Sequence, residues 1–270
     1  MAYKVNKSKF LRTLMILCVL IIGVAAFLGA HSGRKSGQGT QQAMEEDGDM
    51  QVPYEGNTQV KTQPDALKGV KIVIDAGHGG FDVGTSGITT KVKEEEINLA
   101  IAQKLEKELA DIGAEIVMTR KDNNAIGPTK DEDMKNRRKI IEESGEDLVV
   151  SIHQNRYADE NVTGPQVFYL PGSTLGRAFA ETLQSTLNEQ LEPKTPRTAA
   201  SADYYILRSG SAPCVIVECG FLSSPEEEKL LMEDGYQQKV AQALRDGVVA
   251  YWSSQKNQEG PMISIDPQPE

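Results

Sequence analysis

Three side chains suited to metal binding or proton transfer follow strand-like segments of this sequence. His78 follows the apolar segment KIVID after two residues, His153 directly follows DLVVSI, and Glu218 directly follows PCVIV. Ligands in open parallel sheets bind beyond the carboxyl ends of the strands, so we expect these side chains to share one site. A lone histidine is more often structural than functional, but an unpaired carboxylate inside an apolar strand is costly. Their coincidence at strand ends therefore indicates a functional site.

Two histidines and a carboxylate form the ligand set of a hydrolytic zinc site, in which water takes the fourth position. The segment KVKEEEIN offers Glu94, Glu95 and Glu96 as the third ligand, at the start of a predicted helix near His78. Carboxylates also stabilise a helix start electrostatically, so the pattern leaves the choice among the three open. Glu218 then remains as the general base that takes a proton from the attacking water. A short zinc motif such as HExxH is absent from the sequence, so spacing alone is a weak argument.

Other chemistries fit the sequence less well. GHGG resembles an oxyanion-hole loop, but no G-x-S-x-G motif supplies a nucleophilic serine. Cys219 should point to the opposite face of the strand from Glu218, which is a poor position for a nucleophile served by His153. No phosphate-binding loop follows a strand. The net charge of −10 argues against nucleic acid as a partner.

Short apolar segments alternate with helical patterns from residue 67 onward. The predicted strands are KIVID (71–75), AEIVM (114–118), DLVVSI (147–152), QVFYL (166–170), YYIL (204–207) and PCVIV (213–217). Between the first two, INLAIAQKLEKELADIG has apolar residues at helical spacing, and Gly113 is a natural helix stop. This alternation predicts an α/β fold: a single domain over 67–252 with a mostly parallel twisted sheet of about six strands, flanked by helices on both faces.

The N-terminal sequence predicts export. Four basic residues precede the apolar run LMILCVLIIGVAAFLGA, which is typical of a signal peptide or an uncleaved signal anchor over residues 1–30. A buried N-terminal helix is the alternative. The polar stretch 31–66 has no periodicity and is predicted to be a flexible linker. Residues 253–270 are predicted to form a disordered tail. Membrane contact is therefore expected only through the N-terminal segment.

Four motifs, in this order, resemble the zinc-dependent N-acetylmuramoyl-L-alanine amidases of bacterial cell-wall metabolism: DAGHGG, KEEEIN, DLVVSIHQN and PCVIVECGFLSSPEEEKLL. The similarity covers essentially all of 67–252. Within that family, the sequence is similar in particular to the germination-specific (CwlD-type) amidases of spore formers. These enzymes combine an export signal with a single catalytic domain, the same layout as predicted here.

The resemblance implies one zinc ion per chain, with His78, Glu94 and His153 as its ligands. Glu94 is selected among the three acids because the family places its ligand glutamate four residues before an asparagine, here Asn98. The catalytic glutamate of the family corresponds to Glu218.

The resemblance also suggests residues around the ligands. Arg137 matches a position where the family usually has arginine, and we assign it and Asn155 a structural or substrate-positioning role. Asp75 is predicted to hold the second ring nitrogen of His78 and so fix its tautomer, or alternatively to cap local backbone amides. The family usually has a small residue where this sequence has Gln154, so we expect this side chain to alter the mouth of the site.

The activity implied by the resemblance is hydrolysis of the amide between N-acetylmuramic acid and L-alanine in peptidoglycan. The implied setting is spore cortex maturation, where removal of the stem peptide precedes formation of muramic-δ-lactam. The protein would then act in the cell wall or the spore intermembrane space. An accessory protein that aids metal binding or targeting is a further expectation. Two alternatives remain: a zinc peptidase acting on stem peptides, and a catalytically silent wall-binding scaffold of the same fold.

Overall fold

The structure, a computed structural model, describes residues 64–258. The predicted signal segment, 1–30, and nearly all of the predicted linker, 31–66, lie outside these residues. Within the described part of the chain, no helix has both the length and the apolar composition needed to cross a membrane.

Strands and helices alternate along the described residues. The strands are β1 (Lys71–Ala76), β2 (Glu115–Met118), β3 (Leu148–Asn155), β4 (Gln166–Tyr169), β5 (Ala200–Ser201) and β6 (Cys214–Phe221). The α-helices are α1 (Glu94–Ala110), α2 (Lys130–Ser144), α3 (Thr174–Leu191), α4 (Pro225–Leu231) and α5 (Asp234–Gln258).

All the strands belong to one six-stranded sheet in the order β2-β1-β3-β6-β4-β5. The neighbours are parallel except for β4, which runs antiparallel to β6. The predicted α/β fold with a mostly parallel sheet is confirmed. The carboxyl ends of β1, β3 and β6 consequently lie side by side at one edge of the sheet.

The apolar strands are buried on both faces, which explains their lack of polar alternation. Ile72 and Ile74 of β1 face the larger core, which α1, α3 and α5 cover, whereas Val73 faces a smaller core that contains Ile141 of α2. Leu105 of α1 is fully buried in the larger core. Burying one such side chain contributes roughly 1.5–3 kcal/mol, so these apolar faces fix the helices against the sheet.

Two parts of the secondary structure differ from the prediction. The segment YYIL is not a strand, because Ile206–Arg208 forms a single 3-10 turn. The sixth strand is instead the two-residue β5, which pairs with β4 and is too short to give a sequence pattern. Helix α5 continues to Gln258, beyond residue 252, where we predicted the tail to begin.

Candidate metal centre

The three residues predicted as zinc ligands lie together at the carboxyl edge of the sheet. His78 follows β1, Glu94 opens α1, and His153 lies near the end of β3. Their donor atoms all lie within 4.8 Å of one another. Oε1 of Glu94 is 3.2 Å from Nε2 of His78 and 3.0 Å from Nδ1 of His153. Two imidazole nitrogens and one carboxylate oxygen, converging from three elements, fit the donor set of a catalytic zinc site.

The glycine-rich bend after β1 brings His78 to the site. A Cβ atom on Gly77 would lie 2.3 Å from the ring of His153, so only glycine lets the backbone pass there. His78 itself has a φ of 62°, in the left-handed region that non-glycine residues rarely occupy. Such strain persists only where the surroundings enforce it, and it is typical of functional sites.

Two buried arginines hold this strained backbone. Arg137 donates from Nη1 to the carbonyl oxygen of Ala76 at 2.7 Å and from Nη2 to that of His78 at 2.5 Å. Arg120 donates from Nε to the same Ala76 oxygen at 2.8 Å and from Nη2 to the Gly77 oxygen at 3.0 Å. The contacts of Arg137 are therefore those of a structural residue. Arg120 was not identified in the sequence, because it follows a short strand outside any motif.

The carboxylate of Glu94 is held by backbone and side-chain donors. The amide of Thr85 donates to Oε2 at 2.7 Å, while Oε1 accepts from the amide of Gln154 at 3.1 Å and from Nδ2 of Asn98 at 3.2 Å. Burial alone would raise the pKa of Glu94, but hydrogen bonds from His153 and His78 outweigh it and lower this pKa. Glu94 is therefore an anion, as a metal ligand must be.

Gln154 lies beneath the site and not at its mouth. Its side chain is 3% exposed, and its Nε2 donates to Oδ1 of Asn98 at 3.1 Å. Asn98 in turn donates to the carbonyl oxygen of Gly77 at 3.1 Å. The expectation that Gln154 alters the mouth of the site is wrong. Its position in β3 directs the side chain towards Asn98 of α1.

The carboxylate next to the second ring nitrogen of His78 belongs to Asp82 and not to Asp75. Oδ1 of Asp82 lies 3.1 Å from Nδ1 of His78. Asp75 instead accepts hydrogen bonds from Arg137 Nη1 at 2.8 Å, Thr119 Oγ1 at 2.7 Å and Ser151 Oγ at 2.6 Å. Both expectations for Asp75, the contact with His78 and the cap on local amides, are therefore wrong. Its partners are three buried side chains.

The position of Asp82 follows from the turn GGFD. Gly79 and Asp82 exchange two backbone hydrogen bonds, of 2.8 and 3.1 Å, which fold the chain back over His78. The sequence contained a signal for this contact, because His78 and Asp82 lie four residues apart with two glycines between them. Asn155, also predicted to act around the ligands, accepts a hydrogen bond on Oδ1 from the amide of Arg156 at 2.8 Å.

Glu218 lies in β6 directly opposite His153 in β3. Its Oε2 atom is buried and has no hydrogen-bond partner among the described residues. Burial raises the pKa of Glu218 to about 7, and the nearby His153 opposes this rise. Buried polar atoms are rarely unpartnered, and a carboxylate whose pKa is raised towards neutrality suits proton transfer.

A cavity of about 300 Å³ opens beside the two histidines. Its wall combines acidic and basic residues with the apolar side chains Met134, Tyr204, Tyr205, Ile206 and Ile216. Tyr204 and Tyr205, from the segment wrongly predicted as a strand, form an exposed rim. The cavity therefore opens onto both imidazoles of the candidate site.

Residues 72–250 of the chain match the N-acetylmuramoyl-L-alanine amidase family (Amidase_3). The chain is 32% identical over 195 residues to the germination-specific N-acetylmuramoyl-L-alanine amidase of Bacillus subtilis, covering 69% of this chain and 81% of that protein. It is 33% identical over 192 residues to the probable cell wall amidase LytH of Staphylococcus epidermidis, covering 70% of this chain and 60% of that protein.

A solved structure gives the same picture of the fold. The CwlD amidase from Clostridioides difficile, in complex with the GerS lipoprotein, superposes with a TM-score of 0.66 at 32% identity. The superposition covers 68% of this chain and 99% of that one.

Proposed function

The chain belongs to the N-acetylmuramoyl-L-alanine amidase family and is an enzyme of peptidoglycan, and from this premise we propose how it acts. It hydrolyses the amide between N-acetylmuramic acid and L-alanine with one zinc ion, held by His78, Glu94 and His153. The observation that carries this proposal is the convergence of these three donors beside the unpartnered carboxylate of Glu218.

When bound, zinc polarises the amide carbonyl and makes a water molecule more acidic at neutral pH. Glu218 takes a proton from the attacking water and returns it to the nitrogen of the leaving L-alanine. The hydrogen bonds from Thr85, Gln154 and Asn98 hold the carboxylate of Glu94 in its orientation. With the metal bound, Asp82 would hold the single proton of His78 on Nδ1, so that the lone pair of Nε2 is available to the metal.

The biological setting we propose is maturation of the spore cortex, where stem-peptide removal precedes muramic-δ-lactam formation and so permits germination. Support comes from the germination-specific relative of Bacillus subtilis and from the CwlD structure. The similar identity to LytH makes the vegetative cell wall the competing setting. Loss of muramic-δ-lactam from spores of a host strain lacking this protein would support the cortex, and unchanged lactam would favour the vegetative wall.

A lipoprotein-like accessory partner, acting on metal retention or targeting, is part of the proposal. The support is the complex of the Clostridioides difficile amidase with a lipoprotein. The basic and apolar N-terminal pattern, 1–30, supports export across the cytoplasmic membrane, followed by release or anchoring.

The decisive experiment combines metal analysis with product chemistry on purified peptidoglycan. About one zinc per chain and stem peptides released with a free N-terminal L-alanine are the expected results. Cleavage within the stem peptides would indicate the zinc peptidase instead. Absence of zinc binding with metal in excess would indicate a catalytically silent scaffold. Bound zinc without any release would point to a missing partner.

A further inference from the structure

A second groove of about 430 Å³ lies beside the metal centre. It is lined by Ile88, Arg156, Tyr157, Ala158, Glu160 and Ser223. Three segments of the chain build it and bond to one another. The amide of Ile88 donates to the Leu222 oxygen at 3.3 Å, and the amide of Tyr157 donates to Ser223 Oγ at 3.0 Å. The groove is therefore a built feature of the fold and not a gap between loose loops.

The groove adjoins the metal centre through Thr85. Arg156 Nη1 lies 3.3 Å from Thr85 Oγ1 and donates to the oxygen of Ser86 at 3.0 Å. The amide of Thr85 bonds to Glu94, one of the predicted ligands, at 2.7 Å. Arg156 is thus separated from a metal ligand by a single residue. The groove therefore begins next to the residues that hold Glu94 in place.

The charge of Arg156 has no acidic partner within residues 64–258. Both of its side-chain bonds use Nη1 and go to uncharged oxygens, which leaves Nε and Nη2 for a ligand. The cations of the neighbouring cavity differ. Lys130 is paired with Asp82 at 3.0 Å, and Arg137 is paired with Asp75 at 2.8 Å. Glu160 also lines the groove, but no ion pair joins it to Arg156 among the described residues. Arg156 is therefore the cation of the groove whose charge is available to an anionic group of a substrate.

We propose that the groove binds a free carboxylate of the stem peptide, with Arg156 as the specificity-determining residue. This inference rests on the proposed function. Saccharide rings bear uncharged hydroxyl and acetamido groups around the scissile bond, whereas the stem peptide carries carboxylates. Guanidinium groups bind carboxylates through paired hydrogen bonds. The exposed ring of Tyr157, 59% accessible, lies along the same groove and packs against the peptide.

The test uses short glycan fragments with stem peptides that differ in one group: the residue after L-alanine bears either a free carboxylate or a carboxamide. The kcat and KM values are measured for both substrates with the zinc-loaded full-length protein. The kcat/KM of the wild type should be about five- to tenfold higher for the carboxylate substrate, as expected for one partly exposed charge-assisted hydrogen bond. The difference should lie in KM and not in kcat. Arg156→Gln should abolish this preference, and Arg156→Lys should restore part of it.

Arg177→Gln is the matched control. Arg177 is an exposed arginine on α3, paired with Glu181 at 2.7 Å, and its loss should leave the preference unchanged. Equal kcat/KM values of the wild type for both substrates, or an equal loss on both with Arg156→Gln, would overturn the inference alone. Cleavage only within the stem peptides of both substrates, with no free N-terminal L-alanine formed, would overturn the proposed function as well, and the two failures are therefore distinguishable.

Discussion

His78 and Asp82 are linked through the side of the imidazole that faces away from Glu94. Nδ1 of His78 is 3.1 Å from Asp82 Oδ1, and Nε2 is 3.2 Å from Glu94 Oε1. The second oxygen of Asp82 is 3.0 Å from Lys130 Nζ. A carboxylate behind a ligand histidine fixes its tautomer and increases its basicity. Lys130 limits the directions in which that carboxylate can turn.

Replacing Asp82 with alanine should weaken zinc binding. Loss of such a carboxylate typically reduces metal affinity by about 10- to 100-fold. Competition with a chromophoric chelator measures the affinity directly. Asp131→Ala is the control, because Asp131 is an exposed acid at the start of α2 that pairs with Lys135. Equal zinc affinities for Asp82→Ala and the wild type would refute the orienting role.

The sequence predicted which side chains meet at the candidate site, because strand ends can be recognised from composition. Runs such as DLVVSI are buried on both faces, so their apolar character marks the strand and the polar residue after it marks the sheet edge. His153 was located in this way, as was Glu218. The choice of Glu94 needed the resemblance, since three consecutive glutamates at a helix start are equivalent by pattern alone.

The contacts that orient the ligands were not predictable from strand and helix patterns. Asp82, Arg120 and Gln154 reach the site through a turn, a loop and the reverse side of a strand, and each position depends on tertiary packing. The segment YYIL has strand-forming residues but forms a 3-10 turn, since its tyrosines rim the cavity while Ile206 is buried in the smaller core. Tertiary placement overrides local propensity there.

Replacing Glu218 with glutamine should abolish turnover without releasing the metal. General-base catalysis contributes typically about 10²- to 10⁴-fold, so a rate loss of this order is expected. Glutamine has nearly the same shape, and Oε2 of Glu218 has no hydrogen-bond partner to lose among the described residues. Product release from peptidoglycan and zinc content are measured together.

The control for Glu218→Gln is Glu226→Gln, which changes an exposed glutamate paired with Lys194. It should retain both activity and zinc. A Glu218→Gln protein with near-wild-type turnover would remove Glu218 from the role of base. A variant that lost its zinc would show instead that Glu218 supports the ligands.

The buried pair of Asp75 and Arg137 should make stability depend on pH in acid. Burial alone would raise the pKa of Asp75, but Arg137 and the hydroxyls of Ser151 and Thr119 outweigh it and lower the pKa from 3.8 to about 2. The folded pKa is lower than the unfolded one, so the ionised form stabilises the fold. This contribution, roughly 2 kcal/mol, is complete above about pH 4 and is lost as the pH falls towards 2.

Urea unfolding of the wild type and of Asp75→Asn, between pH 2 and 6, tests this dependence. At neutral pH the variant should be less stable by about 3 kcal/mol, because it leaves the charge of Arg137 only partly compensated. The difference should shrink towards pH 2, where the wild-type carboxyl becomes protonated. Asp203→Asn, an exposed acid paired with Arg208, should match the wild type throughout. A difference that stays constant down to pH 2 would contradict the assignment.

Glu228 of α4 anchors the loop that leads into Glu94. Its carboxylate is 1% exposed and accepts from the amides of Thr89 and Thr90 at 2.8 and 2.7 Å and from Thr90 Oγ1 at 2.5 Å. A Cβ atom on Gly87 would lie 2.1 Å from Glu228 Oε1, so the loop is closely packed on this carboxylate. Glu228→Ala should destabilise the protein by about 2 kcal/mol, since it removes three hydrogen bonds that a carboxylate accepts from this loop.

The effect of Glu228→Ala should extend to the metal centre, because the backbone after Thr90 continues directly into α1 and Glu94. We therefore expect weaker zinc binding together with a lower urea midpoint. Glu226→Ala is the control, because Glu226 is exposed to solvent and pairs only with Lys194 among the described ion pairs. It should change stability by no more than about 0.5 kcal/mol. If Glu228→Ala had the urea midpoint and the zinc affinity of the wild type, Glu228 would not be needed to anchor the loop. A lower midpoint with unchanged zinc affinity would confine the role of Glu228 to the fold.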